Sequence, residues 1–273
     1  MFVSPDFRTG LVASFRVTQG EEMDIAALLI AAGAGVIGGV MNGLAGGGTF
    51  ATLPALIALG LPANIANATS NVALLPGAAA SAWGFRDELG PVAGLSVLLL
   101  ALITFFAGLG GSLLLVLTPS DTFDVVIPWL LLFAFVVMAF GRSAADWLHA
   151  RVTIGRRTLI GAQGLLGIYG GYFGGGVGLM TTATYGLLAN IEPRALFAIR
   201  TLMLAVANLA AAFVFIGFAM VEWRACLPML AGAILGGFGG AAIGKRLSPG
   251  VVRAWTLLVT AATTVIFFVR AYG

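Results

Sequence analysis

Charged side chains are scarce: Lys, Arg, Asp and Glu make up 9% of the 273 residues, where soluble domains carry roughly 25%. So few charges cannot cover a water-facing surface, which makes lipid the solvent for most of the molecule. Cys226 is the only cysteine and His149 the only histidine. That pair excludes an intramolecular disulfide and offers no Cys/His set for a metal. There is no GxSxG elbow, no pair of Asp residues inside an apolar run and no Walker sequence. Acyl transfer, intramembrane proteolysis and ATP hydrolysis therefore have no residues to carry them, and neither an enzyme nor a cofactor is expected. Barrel strands are excluded too, because the apolar runs lack alternation and ten-residue spacing. Helices remain, since backbone groups in lipid must pair within their own segment. The expected fold class is all-α and polytopic.

What the chain does have is hydrophobic length, at 60% apolar residues. Runs near the 20 residues needed to cross a bilayer extend from about Asp24 to Leu61, Ala66 to Phe85, Pro91 to Leu117 and Phe123 to Gly141. After a polar stretch, Arg142 to Arg157, they resume at Thr158 to Asn190, Ala195 to Val221, Ala225 to Gly244 and Val251 to Arg270. Residues 1–23 read as a tail, 24–141 as a first membrane repeat, 142–157 as a cytosolic connecting loop and 158–273 as a second repeat. The net charge of +3 comes from basic residues scattered in loops, without the aromatic-lined stripe of a nucleic-acid surface.

The duplication is written in the glycines. Gly43 to Gly48 and Gly171 to Gly176 share the spacing GxxGGG, and Gly108, Gly110 and Gly111 match Gly237, Gly239 and Gly240. Each opening segment exceeds thirty residues and is broken by its GxxGGG into pieces too short to cross alone. A hairpin that enters, turns at the glycines and returns, followed by three crossings, gives each half an odd number of crossings and inverts the second copy. Positive-inside bias then places Arg86, Arg194, Lys245, Arg246 and Arg253 in the cytosol with the connecting loop. The opposite face receives Glu21, Glu22, Asp24, Asp121, Asp124 and Glu222, with only Arg224 and Arg270 near its membrane ends.

Glycines four apart, Gly35/Gly39/Gly43 and Gly232/Gly236/Gly240/Gly244, read as close helix packing. The GxGxxG at Gly33 to Gly38 follows no strand and is no dinucleotide fingerprint. The GxxGGG breaks are different. Unwound backbone at membrane depth is tolerated only where protein or a watery cavity surrounds it, and each break ends at the N-terminus of a new half-helix, at Thr49 or Val177. Such a terminus presents free N–H groups and a positive dipole end, which suits an anion. The substrate-binding candidates are therefore Gly46, Gly47, Gly48 and Thr49 with Asn42 before them, and Gly174, Gly175 and Gly176. To these are added Thr69, Ser70, Asn71, Arg200, Thr201 and Asn208, polar residues inside apolar runs. Arg200 either balances a bound anion or extends to the headgroups. Gln163 reads as an interhelical hydrogen-bonding residue, and Trp83, Trp223, Trp255 and Tyr272 as interface anchors.

The stretch Gly38 to Pro54 (GGVMNGLAGGGTFATLP), with Pro62 and Ala68-Thr69-Ser70 after it, resembles the opening signature of the sulfite exporter TauE/SafE family. Gly171 to Gly178 resembles that family's repeated half, although Thr182 stands where the first half has Pro54. The resemblance implies an inner-membrane carrier, usually an exporter, for sulfite, thiosulfate, sulfoacetate or sulfonates. The expected partners are a small anion, the bilayer and a coupling ion such as H+, with homo-oligomers allowed and nucleic acid excluded. An anion channel and a non-transporting scaffold are the competing classes.

Overall fold

The computed structural model describes residues 23–149, 155–188, 191–244 and 249–273. The expected tail, the centre of the basic connection, Lys245 and Arg246 lie outside these residues. Among the described residues there are ten α-helices and no strand. The first five are α1 (Ile25–Leu44), α2 (Thr49–Ala58), α3 (Ala63–Gly84), α4 (Val97–Val116) and α5 (Ser120–His149). The second five are α6 (Arg156–Tyr172), α7 (Val177–Leu188), α8 (Pro193–Gly217), α9 (Trp223–Gly244) and α10 (Pro249–Tyr272). α5 runs on to His149, so the first part of the expected connecting loop is helical. Nothing in Arg142 to His149 breaks a helix, there being no Gly after Gly141 and no Pro.

Among the described residues, five helices are long and apolar enough to cross a membrane: α1, α4, the first part of α5, α8 and α10. α3 and α9, at 22 residues each, have the length, about 33 Å. α3 carries Asn64, Asn67, Thr69, Ser70 and Asn71, all buried in protein. α9 carries no charged residue after Arg224. At 10 and 12 residues, α2 and α7 reach only about half-way across. The chain is a multi-pass membrane protein whose polar helix sits at the centre, screened from lipid by its neighbours.

The packing is nearly unchanged when the two sets of five are exchanged. α1 lies on α9 as α6 lies on α4, α3 meets α8, α5 meets α10, and α4·α8 answers α9·α3. α1 and α9 run parallel. A β-carbon on Gly35 or Gly39 would strike the carbonyls of Met229 and Ala233, and one on Gly232 or Gly236 those of Ala32 and Val36. α4 and α6 repeat this with Gly111 on Ile168 and Gly171 on Gly108. Glycine is what lets these backbones touch, and where lipid is as apolar as the helices, close contact is the main attraction. α3 and α8 are antiparallel: the ring of Phe85, after the end of α3, packs tilted against that of Phe197 near the start of α8, 4.5 Å between centres. Thr69, near the other end, accepts from the Glu222 N–H just beyond α8. Gln163 ties α4, α6 and α7 together, donating to Thr104 Oγ1 (2.5 Å) and accepting from Tyr185 (2.6 Å), the interhelical role expected of it. Trp83, Trp223, Trp255 and Tyr272 are exposed on the lipid-facing side.

Candidate binding site at the crossed breaks

Each first helix of a half is stopped by glycine. Gly46 (φ +80°) and Gly174 (φ +72°) take the left-handed conformation and donate back five residues, to Met41 (3.1 Å) and Tyr169 (3.5 Å), a helix ending that favours residues without a β-carbon. The two breaks then cross: a β-carbon on Gly46 would lie 2.8 Å from Gly178 Cα, and one on Gly178 would lie 2.9 Å from Gly46 Cα. No side chain separates the hairpins at this point.

The breaks are not alike inside. At the first, Asn42 Oδ1 accepts from Gly48 N–H at 2.7 Å and so caps α2, leaving the Gly47 and Thr49 N–H groups without an acceptor among the described residues. At the second, glycine (Gly170) stands where Asn42 would be, and the N–H groups of Gly175, Gly176, Val177 and Gly178 have no acceptor there. These are the donors at the positive end of α7.

Arg200 stands beside the crossing, its Cγ 3.4 Å from where a Gly178 β-carbon would be. It is 7% exposed, so the headgroup alternative does not describe this conformation. Nη1 reaches the Leu44 carbonyl at 3.5 Å, the outer limit of a hydrogen bond, and Cζ lies 4.1 Å over the Phe197 ring. Nε and Nη2 have no partner, and no carboxylate among the described residues pairs with it. A buried, unpaired cation in a membrane interior is costly unless something negative arrives.

Thr181, which the sequence reading did not single out, completes this corner. Gly178, Thr181 and Tyr185 are spaced i, i+3, i+7 and therefore share a face of α7. Gly178 meets Arg200, and Tyr185 packs with Ile199 and Met203 of α8, so Thr181 lies between. Its Oγ1 is buried and unpartnered. In the first half the hydroxyls of α2 and α3 pair with each other instead, Thr52 with Ser70 at 2.5 Å. In the second half α8 offers a guanidinium rather than a hydroxyl, and both Thr181 Oγ1 and the guanidinium are left open. The repeat offset that sets Gly48 on Gly176 aligns Thr52 with Met180, so it gave no pointer to Thr181.

Other expected members are engaged elsewhere. Thr69 holds the α8–α9 turn through Glu222, Ser70 is taken by Thr52, and Thr201 donates to Phe197 and Ala198 of its own helix. None of the three offers an open group at the breaks, because each hydroxyl finds a nearer backbone or side-chain partner. β-Carbons on Gly47 and Gly175 would meet the rings of Phe50 and Phe173; these glycines are covered by aromatics. Thr49 is buried at the start of α2. Asn208 lies two turns beyond Arg200 on α8, with Oδ1 unpartnered. Asn67 and Asn71 reach the second break: Asn67 Nδ2 donates to Tyr172 O (3.1 Å), and Asn71 Nδ2 to Asn67 O (2.9 Å) and Phe173 O (3.4 Å).

A crevice of about 150 Å³ opens between α3 and α9, lined by Gly77, Ala80, Ser81, Gly84, Phe85, Ile234, Gly237 and Phe238. It narrows past Gly77, Ser81 and Gly237 into a pocket of about 10 Å³ that reaches Gly39, Asn42 and Leu74. Phe85 on its wall packs against Phe197, whose ring in turn carries the Arg200 guanidinium. Two aromatic rings thus stand between the crevice and the unpaired cation.

The family model described as Sulfite exporter TauE/SafE matches residues 31–267. The chain is 29% identical to a probable membrane transporter protein of Haemophilus influenzae over 247 residues, 88% of this chain and 94% of that one. It is 29% identical to the probable membrane transporter protein ORF9 of a Sinorhizobium species, over 78% of this chain and 80% of the relative. To the probable membrane transporter protein YfcA of Escherichia coli K12 it is 25% identical, over 87% and 88%. No solved structure matches.

Proposed function

The chain belongs to the sulfite exporter TauE/SafE family and is a membrane transporter, and we propose that its cargo is a small sulfur-containing oxyanion, such as sulfite or an organosulfonate, moved by alternating access. The observation that carries this reading is Arg200, whose two open donors sit against the crossing of two glycine breaks with no carboxylate beside them. An oxyanion there would neutralise the guanidinium, accept from Thr181 Oγ1 and lie against unpaired peptide N–H groups, the arrangement by which broken helices hold anions in carriers. Sulfur is the family's contribution, since the donors suit any compact oxyanion.

Carrier action fits better than a standing pore. Gly46 and Gly178 touch at the centre, and Phe85 with Phe197 closes the crevice side. Exchange of the two helix sets in the packing, with α3 antiparallel to α8, supports inverted repeats, whose rocking exposes one site to each side in turn. In this reading the face bearing Arg86, Arg156, Arg194 and Arg253 lies in the cytosol of an inner membrane, in keeping with positive-inside bias, and the family resemblance suggests export as the direction. The test is counterflow in proteoliposomes. Internal sulfite or sulfonate should drive uphill uptake of labelled anion in a saturable way; flux that never saturates and never runs uphill would replace the carrier by a channel.

A further inference from the structure

At the second break the unmet groups are of both kinds. The N–H groups of Gly175 to Gly178 lack acceptors, while Asn67 Oδ1 and Asn71 Oδ1, on side chains 0% and 1% exposed, lack donors. Turning the amides over does not cure this. Each Nδ2 already faces backbone carbonyls, and a flip would set oxygen against oxygen. Asn71 Oδ1 is aimed into the break, because a β-carbon on Gly174 would fall on it. Asn67, four residues earlier, shares its face of α3.

This pairing selects a ligand. A fully deprotonated oxyanion satisfies the N–H groups but repels two carbonyl oxygens. A metal cation satisfies the oxygens but meets the positive end of α7. A small oxyanion that also carries a hydrogen-bond donor meets both. We propose that the second break is a subsite for the donor-bearing form of the cargo, a hydroxyl or a proton on one of its oxygens, with that donor given to Asn71 or Asn67 and the anionic oxygens turned to the α7 N-terminus. The inference rests on the oxyanion-carrier reading and adds to it a division of labour: Arg200, at the crossing, answers charge, and the two asparagines of α3, at the second break, answer the donor. With no Asp or Glu buried among the described residues, a proton crossing with the cargo would ride on the cargo itself.

The experiment compares methanesulfonate with hydroxymethanesulfonate, which differ by one hydroxyl, by calorimetric titration of the purified full-length protein at fixed pH. The hydroxylated probe should bind about tenfold more tightly, the usual worth of one hydrogen bond to a buried acceptor. Asn71→Leu or Asn67→Leu should erase most of that preference, the two probes then binding to the variant within about twofold of each other. Equal binding of the two probes to the natural protein would overturn the subsite and leave water as the partner of the asparagines. A preference that survives in both variants would overturn it as well. Should a variant not fold, the comparison on the natural protein still decides. If neither sulfonate nor sulfite binds at any pH, the oxyanion reading itself fails and the subsite with it.

Discussion

Gly46 and Gly178, 132 positions apart in the sequence, meet backbone to backbone, so that a β-carbon on either would press within 3 Å of the other's Cα. The two hairpins therefore bear on each other through main chain, and whatever separates these glycines moves both breaks. Arg200 lies against the same contact.

Adding a methyl group at this contact should be felt at once. Gly178→Ala should lower stability by about 1–3 kcal/mol, as overpacking of a tight core does, and Gly46→Ala should cost about 1–2 kcal/mol more because its left-handed conformation disfavours a β-carbon. Gly110→Ala and Gly164→Ala, where nothing lies within 4 Å of the new carbon, should melt like the parent. Detergent melting of the four variants checks the order; equal melting of Gly178→Ala and Gly110→Ala would contradict the contact.

Arg200 gives two effects of opposite sign. Arg200→Gln removes an unpaired buried charge, so the ligand-free protein should melt at a higher temperature. Anion affinity should fall roughly tenfold or more, given about 1.5–3 kcal/mol for a charge-assisted hydrogen bond. Arg200→Lys should keep part of the affinity, since charge survives without the fork. A variant that loses stability and keeps affinity would make Arg200 a cap for the Leu44 carbonyl and nothing more.

Asn42 separates capping from binding. Asn42→Ala should cost about 1 kcal/mol by uncapping Gly48 N–H. Asn42→Asp should retain the cap, because a carboxylate accepts the same bond, and yet weaken anion binding by placing a negative charge at the first break. Melting temperature and oxyanion affinity, measured on both variants, distinguish the two. Unchanged affinity in Asn42→Asp would place the anion away from the first break.

Orientation is open to a chemical test. Asp87 lies in the short 3-10 turn after α3, and Asp121 begins α5. In a Cys226→Ala background, Asp87→Cys should react with an impermeant maleimide only from the cytosolic side and Asp121→Cys only from the other. Reaction of both from one side would reject the inverted arrangement.

The sequence by itself determined the solvent, the secondary structure and the repeat. Too few charges for water, runs of membrane length and two GxxGGG breaks required helices interrupted twice, and glycines four apart marked a close-packing face on α1 and another on α9. These are local or periodic properties, and a helix break or a small-residue face follows from the residues that form it. Only the tertiary structure decided which polar groups remain open. Asn42, Ser70, Thr69 and Thr201 looked as eligible as Asn71 and Arg200, but each of the four has a hydrogen-bond partner that uses its group: Gly48 for Asn42, Thr52 for Ser70, the Glu222 N–H for Thr69 and its own helix for Thr201. Thr181 and Asn67 came into view for the converse reason. Hydrogen-bond satisfaction depends on neighbours that folding supplies, such as Tyr172 for Asn67 across 105 residues of chain, and a buried group without such a neighbour is visible only once the chain has closed around it.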